Sequence, residues 1–397
     1  MSKIITDPKK IEELLTRGVA EVIKSEHLRT RLLSGERLRV KLGIDPTSPN
    51  IHLGRSIPLL KLRDFQELGH RIVFIVGDFT GVIGDTSDKD AERPMLTPAA
   101  IKKNMRDYVK QAGKIIDLKK TEVHYNSQWL KKLPCNELGE QADQFSVAEF
   151  IARENIKKRL DEGKRVSFRE MLYPLFQAYD SIMVKADVEI GGTDQRFNLL
   201  AGRELQKHYG QNQQDVIMGP LLAGTDGRKM SSSWGNTVNL IDAPSEMFGK
   251  VMSIPDNLIM DYFILATRVL SNDLIGIQSQ LKSGANPRDV KAKLAKEIVK
   301  MYHGEKPALE AEESFNKQFR DKEIPEEIEE KKVEMKNWPL DELLVALKLV
   351  ASKSEARRMV EQGGVKIDGE KIANLGEIQV KSGMVISVGK RKFVKIK

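Results

Sequence analysis

Two periodicities divide this chain. Up to Thr237, short β-branched runs alternate with longer stretches whose apolar residues recur every three or four positions. Residues 38–44, 71–76, 121–125, 187–190 and 215–218 read as strands, and residues 56–68 and 98–116 as amphipathic helices between them. The run Arg71-Ile72-Val73-Phe74-Ile75-Val76 is apolar enough to be covered on both faces, as strands of a parallel sheet are. Strands alternating with crossover helices predict an α/β fold. The expected form is a Rossmann-like, doubly wound parallel sheet, whose ligands sit beyond the carboxyl ends of the strands.

Beyond Thr237 the strand signal fades. Residues 243–319 read as helices punctuated by Pro255, Gly284 and Pro287. A charge-dense stretch follows, from Arg320-Asp321-Lys322-Glu323 through Glu326 to Lys336. It has too few apolar residues to bury a face and reads as a solvated linker or an exposed helix. A new compact unit begins near Trp338. The expected organisation is a Rossmann-like catalytic domain over 1–237, an α-helical domain over 238–319, a charged linker over 320–337 and a small α+β domain over 338–397.

Composition narrows the setting. At 397 residues the chain can bury more than one core. Cys135 is the only cysteine, which excludes an internal disulfide. Six scattered histidines with one cysteine give none of the usual zinc spacings, so no protein-held metal is expected. There is no run of about 18 apolar residues, and Met1-Ser2-Lys3-Ile4-Ile5-Thr6-Asp7 lacks the apolar stretch of a signal peptide. A cytoplasmic protein with no membrane partner is expected. The net charge of +8 invites a polyanionic partner. Residues 341–397 hold 12 Lys and Arg against 7 Asp and Glu, so most of the excess sits at that end.

Two short motifs carry the chemistry. The first, Gly43-Ile44-Asp45-Pro46-Thr47-Ser48-Pro49-Asn50-Ile51-His52-Leu53-Gly54-Arg55, leaves the first strand, turns at two prolines and enters a helix near Ile51. Backbone N–H groups at a helix start attract phosphate. Gly54 lets a base or ribose approach the helix backbone, and His52 offers phosphate oxygens a donor. The second motif, Gly224-Thr225-Asp226-Gly227-Arg228-Lys229-Met230-Ser231-Ser232-Ser233, is a loop of cations and hydroxyls suited to clamp a pyrophosphate leaving group. Each alone could be ordinary: a loop histidine at a helix cap, or a basic surface turn. In this order, on either side of a parallel α/β pattern, they point together to a bound nucleotide.

The pair resembles the two ATP-holding signatures of class I aminoacyl-tRNA synthetases. Further residues make the chain similar to the bacterial-type tyrosyl-tRNA synthetases over nearly its whole length. Residues 71–76 lead into Gly77-Asp78-Phe79-Thr80-Gly81-Val82-Ile83-Gly84-Asp85, like the turn beneath the amino-acid pocket of that family. In Tyr173-Pro174-Leu175-Phe176-Gln177-Ala178-Tyr179-Asp180 the proline suits the first position of a helix, with Tyr173 at its entrance and Gln177 and Asp180 on one face. The resemblance implies that Tyr173 and Gln177 receive the α-amino group of tyrosine and that Asp180 accepts from its phenol. Lys41, Gly43, Asp85 and Gln195 complete that pocket. A buried carboxylate that phenylalanine would leave unpaired is costly, so such a pocket rejects the analogue. For ATP the resemblance implies Asp45, Thr47, His52, Gly54, Arg55, Gly191, Gly192, Asp194, Lys229, Met230 and Ser232, with His52 and Lys229 as the catalytic groups. The implied reaction is attack of the tyrosine carboxylate on the α-phosphorus of ATP, with magnesium (Mg2+) bridging the β- and γ-phosphates. Transfer to the terminal ribose of tRNA(Tyr) follows. A homodimer through helices near residues 145–160 is implied as well.

The chain departs from the best-known family pattern at three places. Arg55 stands for a histidine, Ser232 for a lysine, and Lys41 for a tyrosine near the substrate ring. A lysine cannot accept from a phenol, so Asp180 must orient the hydroxyl, and Lys41 is expected to pair with a pocket carboxylate. In the tail, residues 352–370 resemble the RNA-binding domain named for ribosomal small-subunit protein four. Lys353, Arg357 and Arg358 lie on roughly one face of its helix, a glycine stop follows, and a hairpin is expected at Asp368-Gly369. With Lys390-Arg391-Lys392 they would follow a phosphate backbone without reading its sequence. Three other readings compete. They are a tryptophanyl-tRNA synthetase, which offers no phenol to Asp180, a non-catalytic RNA-binding relative, and another nucleotidyltransferase with a similar histidine loop.

Overall fold

The computed structural model describes residues 3–85, 95–317, 328–372, 374–389 and 392–397. They form two compact units, Met1–Ala308 and Leu309–Lys397. In the first, β1 (Glu21–Ile23), β2 (Arg39–Ile44), β3 (Arg71–Val76), β4 (Thr121–Tyr125), β5 (Val188–Gly192) and β6 (Asp215–Gly219) make one sheet in the order β1-β6-β5-β2-β3-β4. The five expected strands are all present and run parallel. β1 pairs antiparallel with β6 and is too short a run for periodicity to register. β3 is buried from Ile72 to Val76, as its unbroken apolar run requires, and alternate residues Val73 and Ile75 pack against Trp129, Leu130 and Phe176. The helix Leu53–Glu67 lies on β2, β3 and β5. From β2 the chain moves outward to β3 and β4, then returns to place β5 and β6 on the other side, which opens a crevice at the carboxyl ends of β2 and β5.

Two helix expectations are corrected. The single helix over 98–116 is broken into Pro98–Asn104, a tight turn at Met105–Asp107 and Tyr108–Ala112. The break turns Tyr108 and Gln111 onto the loop after β2. The Tyr108 hydroxyl accepts from Arg55 at 2.6 Å, while the Gln111 amide accepts from Ile51 N and donates to Pro49 O, both at 2.8 Å. Pro174 does not open its helix either. That helix runs Phe168–Val184 and is capped at Ser167, whose N–H donates to Glu170 Oε1 at 2.9 Å. An interior proline removes one ladder hydrogen bond. The earlier start still keeps Tyr173, Gln177 and Asp180 on one face, at spacings of four and three.

Beyond β6 the chain is helical as expected, in Pro244–Met252, Ile259–Ala266, Ser271–Lys282 and Pro287–His303, with breaks at Pro255 and Gly284. A single guanidinium ties these helices to the N-terminal one, Pro8–Thr16. Arg17 donates to the carbonyls of Ile264 at 3.2 Å, Val269 at 2.7 Å, Phe263 at 3.4 Å and Thr267 at 3.0 Å, around the end of Ile259–Ala266. A cation there satisfies carbonyls that have no helical partner and complements the helix dipole. Among the described residues no helix is long and apolar enough to cross a membrane.

The second unit contains β7 (Glu329–Lys331), β8 (Asn337–Pro339), β9 (Val365–Ile367), β10 (Glu370–Lys371), β11 (Glu377–Gln379), β12 (Val385–Val388) and β13 (Lys392–Ile396). One sheet has the order β10-β9-β12-β13-β7, and β11 pairs with β8. Helices Leu340–Ala346 and Lys353–Glu361 close its core through Leu343, Leu344, Ala356 and Val360 on Val365, Ile386 and Val394. The expected hairpin is there: Asp368 (φ +48°) and Gly369 (φ +88°) form the two-residue turn between β9 and β10. β7 corrects part of the expected linker, since residues 329–331 pair in parallel with β13. An edge strand needs backbone partners rather than apolar side chains, and Glu330 meets Lys397 at 3.0 Å. Phe319, residues 320–327, Lys390 and Arg391 lie outside the described residues.

Replacing Arg17 by alanine takes the side-chain donor from the Ile264 and Val269 carbonyls and leaves those of Phe263 and Thr267 to Thr267 Oγ1 and Arg268. Arg17→Ala should destabilise the protein by about 3 kcal/mol, seen as a lowered thermal unfolding midpoint, with Arg17→Lys in between. A midpoint unchanged in Arg17→Ala would refute this account of how the helices are held.

Candidate active site

The ATP and tyrosine residues selected from the sequence, Lys41 excepted, line one cleft of about 500 Å³. Gly43, Asp45 and Thr47 come from the end of β2 and the loop after it. His52, Gly54 and Arg55 come from the start of the Leu53–Glu67 helix, and Asp85 from the turn after β3. Tyr173, Gln177 and Asp180 come from one helix face. Gly191, Gly192, Asp194 and Gln195 close β5, and Lys229, Met230 and Ser232 arrive on the loop after β6. Lys41 stands behind this wall, wholly buried.

The two signatures are stitched together by backbone. Leu53 N donates to Val238 O at 2.8 Å and Leu240 N to Ile51 O at 2.9 Å, so the chain after the second signature braces the start of the first. His52 is 6% exposed, and burial, then the charges of Arg55 and Lys229, pull its pKa down to about 3. It is therefore a neutral imidazole. A Cβ on Gly54 would stand 3.1 Å from His52 Nδ1, so the glycine makes room for that ring, and Gly54 N meets Met230 Sδ at 3.3 Å. Arg55 points into the loop after β2. It donates to the Tyr108 hydroxyl at 2.6 Å, to Thr47 Oγ1 at 2.7 Å and to Asp45 O at 3.3 Å. The permanent charge at this position holds Asp45 and Thr47 in place.

The second signature is a tight hairpin, with Met230 N on Leu222 O at 2.9 Å and Gly224 N on Arg228 O at 2.6 Å. A Cβ on Gly224 would fall 2.5 Å from the Asn236 side chain, which organises the loop. Asn236 accepts from Ser231 N at 2.8 Å and donates to Asp226 Oδ1 at 2.7 Å and Lys229 O at 3.1 Å. Arg228 pairs with Asp226 and stacks 4.9 Å over the Trp234 ring, so its charge is held beside the loop. Lys229 Nζ reaches Asp194 Oδ2 at 3.0 Å, joining the cation of one signature to the carboxylate beyond β5. Ser232 Oγ lies 3.3 Å from Ser48 Oγ of the first motif.

At the amino-acid end three carboxylates are enclosed by donors. Asp45 accepts from Thr80 Oγ1 at 2.6 Å and from the Tyr173 hydroxyl at 2.9 Å. Burial pushes the Asp45 pKa up to about 6 and the Tyr173 phenol well above its usual value, so the phenol stays protonated and donates. A Cβ at Gly77 would come within 1.9 Å of Asp45 Oδ1, which makes glycine obligatory there. Asp180 accepts from Trp129 Nε1 at 2.8 Å and Asn126 Nδ2 at 3.2 Å, and Asn126 also donates to Thr80 at 2.8 Å. Burial lifts the Asp180 pKa to about 7, against the opposing charge of Lys41. The carboxylate expected to pair with Lys41 is Glu189, with Nζ and Oε1 2.9 Å apart.

Sequence reasoning passed over Tyr108, Thr80, Asn126, Trp129 and Glu189. A signal existed for Glu189, because a charge in the middle of the apolar strand Val188–Gly192 needs a partner, as Lys41 does in β2. In the second unit the expected RNA-facing residues share the helix Lys353–Glu361. Lys353 pairs with Glu342 at 2.7 Å and Arg357 with Asp341 at 3.2 Å. Arg358 is exposed and makes no ion pair among the described residues. Lys392 Nζ caps Leu349 O at 2.7 Å.

The raised Asp180 pKa has a sign for stability. Between about pH 4 and pH 7 the unfolded carboxyl is ionised while the folded one keeps its proton, so the folded state binds more protons and loses stability as pH rises. Asp180→Asn, which cannot ionise, should gain thermal stability relative to the native protein between pH 4 and pH 8, by a few degrees in the unfolding midpoint. An equal difference between the two proteins at both pH values would disprove the shift.

The geometry has counterparts. The family model described as tRNA synthetases class I (W and Y) matches residues 33–320, and that of the S4 domain matches residues 338–386. The chain is 47% identical over 397 residues to tyrosine–tRNA ligase 2 of Clostridium acetobutylicum, across 98% of this chain and 99% of the relative. To the tyrosine–tRNA ligase of Moorella thermoacetica it is 46% identical, across 96% and 94%. The tyrosyl-tRNA synthetase of Archaeoglobus fulgidus, solved with L-tyrosine, superposes with a TM-score of 0.61 at 25% identity, covering 77% of this chain and 100% of that one. These matches favour tyrosine over the tryptophan and non-catalytic readings, and the chain belongs to the tyrosine–tRNA ligase family of class I tRNA synthetases.

Proposed function

We infer that the chain activates L-tyrosine with ATP to tyrosyl-adenylate and pyrophosphate, and then transfers tyrosine to the 3′ end of tRNA(Tyr). The observation that carries this reading is that Tyr173, Gln177 and Asp180, on one helix face, share a cleft with His52, Asp194 and Lys229. Asp180 at the closed end accepts the phenolic O–H. Tyr173, whose proton is committed to Asp45, offers its oxygen to the α-ammonium beside Gln177 and Asp85.

Activation then proceeds by positioning and charge, since attack of the carboxylate on the α-phosphorus needs no protein nucleophile. Asp194 accepts from the ribose hydroxyls, and Gly191 and Gly192 admit the sugar to the backbone. Lys229, released from Asp194, follows the charge that grows on the departing pyrophosphate. Neutral His52 supplies a single N–H to the phosphate oxygens. Among the described residues no group of three or more His, Cys, Asp or Glu could hold a metal. Magnesium would come with the ATP substrate and offset the charge of its phosphates.

In the proposed division of labour, residues 1–237 carry catalysis, 238–319 approach the anticodon region of the tRNA, and 338–397, with β7 added at the edge of their sheet, bind RNA backbone through Lys353, Arg357 and Arg358. Within residues 145–160, Val147 is 74% exposed and Ile151 and Leu160 are exposed as well, which suits a homodimer through these helices. A cytoplasmic location accords with the substrates.

Pyrophosphate exchange into ATP, assayed with each of the twenty amino acids, should respond to tyrosine alone; stimulation by another amino acid instead would overturn the assignment. Lys229→Ala should slow adenylate formation by about 10²–10³ while leaving tyrosine affinity unchanged, and a near-normal rate would mean the clamp lies elsewhere. Arg358→Ala should weaken tRNA binding and lower the slope of log K against log salt by about 1, as loss of one phosphate contact does. An unchanged slope would remove Arg358 from the RNA surface.

A further inference from the structure

Lys41 of β2 and Glu189 of β5 are register partners in adjacent strands, and their side chains are 0% and 2% exposed. Every hydrogen of the ammonium is used: on Glu189 Oε1 at 2.9 Å, on Ser181 Oγ at 2.7 Å and on the Gln177 carbonyl at 3.0 Å. Glu189 is equally engaged. Oε1 also accepts from Gln177 Nε2 at 3.3 Å, and Oε2 accepts from Ser181 Oγ at 3.1 Å and Gln214 Nε2 at 2.5 Å. A carboxylate ringed by donors in this way can only accept. Burying two charges is expensive, and matched apolar residues would hold the strands at least as well, so packing alone does not call for this pair.

What the pair specifies is direction. An amide side chain can present either its NH2 or its carbonyl, and its neighbours decide which. Glu189 claims the NH2 of Gln177, so Oε1 lies on the other side, where Asn198 Nδ2 donates to it at 3.1 Å. Asn198 also donates to Gln195 Oε1 at 3.0 Å, and Gln195 Nε2 donates to Asp85 Oδ2 at 2.6 Å. The series Glu189, Gln177, Asn198, Gln195, Asp85 is thus anchored on a carboxylate at each end, and both glutamines turn their carbonyls toward Asn198. A carbonyl oxygen has two lone pairs, so that of Gln177 can take a second donor.

Building on the tyrosine-activating reading, we propose that the buried Lys41–Glu189 pair is a positioning device for amino-acid recognition. Lys41 keeps Glu189 an acceptor, Glu189 fixes the Gln177 amide, and the fixed carbonyl receives the α-ammonium of the substrate. Without Lys41, the Glu189 carboxylate loses the ammonium that holds Oε1 in place, and its grip on the Gln177 NH2 goes with it. The amide then turns over and sets N–H groups against an ammonium, so the damage falls on recognition of the amine.

The test is equilibrium binding of two ligands to the full-length protein: L-tyrosine, and 3-(4-hydroxyphenyl)propanoate, which keeps the phenol and carboxylate but lacks the amine. Because Lys41 also opposes the rise of the Asp180 pKa, at the phenol end that both ligands share, the readout is the ratio of the two affinities: Lys41→Met should weaken tyrosine binding by at least about tenfold more than binding of the amine-free analogue. The double variant Lys41→Met/Glu189→Gln should regain tyrosine affinity. Gln214 Oε1, which has no partner among the described residues, can then turn to accept from the new amide while that amide's carbonyl keeps Gln177 in place. Equal loss of both ligands, an unchanged tyrosine affinity in Lys41→Met, or a double variant no better than the single one overturns the proposal. Lys41→Gln, with a polar side chain of similar reach, gives the same comparison where Lys41→Met does not fold. A native protein that binds the analogue and not tyrosine would overturn the substrate reading itself, so the two failures are told apart.

Discussion

The cleft begins where β2 and β5 stop pairing. Their ladder lasts two rungs, Val40 with Val188 and Lys41 with Glu189, whereas β2 and β3 pair over six. The second rung is the buried ion pair, and beyond it the strands part. Gly43 on one side and Gly191 and Gly192 on the other leave an opening in the sheet that faces the helix carrying Tyr173, Gln177 and Asp180. Every site residue is placed with respect to that opening. Loops leaving the carboxyl ends of parallel strands supply Asp45, Asp85, Asp194 and Lys229 from separated parts of the sequence, as expected at a reversal of strand order.

Buried charge is the second theme of the site. Asp45, Asp180 and Glu189 are each enclosed by hydrogen-bond donors, and among the described residues the only ammonium that partners them directly is that of Lys41. A core built for stability alone would not hold three carboxylates so near one another, since each must be desolvated and satisfied. The cost shows in Asp45 and Asp180, whose pKa values rise to about 6 and about 7. Asn126 bridges the two through Thr80, so the end of the pocket that meets a phenol and the loop that leads to the phosphates share one network. On the proposed reading, that bridge would couple recognition of the amino acid to placement of the nucleotide loop.

Legibility in the sequence followed periodicity. The five parallel strands, the helices after β6 with their breaks at Pro255 and Gly284, and the Asp368-Gly369 turn each leave a local mark, and each stands where that mark puts it. The signatures were legible for the same reason, being compact motifs at strand ends. Partners were not. Asn126 serves Thr80 and Asp180 from 46 and 54 residues away, and Tyr108 serves Arg55 from 53 residues away, distances over which one sequence carries no pairing signal. Elements that answer to tertiary demand were misread for a related reason. Residues 98–116 keep a helical period, yet the helix breaks because Tyr108 and Gln111 are needed on the loop after β2. β7 is charged along its length, yet it pairs because β13 offers an open edge.

Arg55 shows how a departure from a family motif can be read once its contacts are known. As a sequence feature it adds a permanent cation where phosphates are expected. In the structure its guanidinium holds Tyr108, Thr47 and the Asp45 carbonyl, and its charge, after burial, helps to keep His52 neutral. On the proposed reading, the first signature would therefore work through oriented dipoles and a fixed loop rather than through a histidine cation. Mobile positive charge is left to Lys229, which the structure shows resting on Asp194. On the proposed reading, a nucleotide whose ribose engages Asp194 would compete for that contact as the phosphates arrive, so the ligand itself would turn the cation toward the charge it is meant to serve.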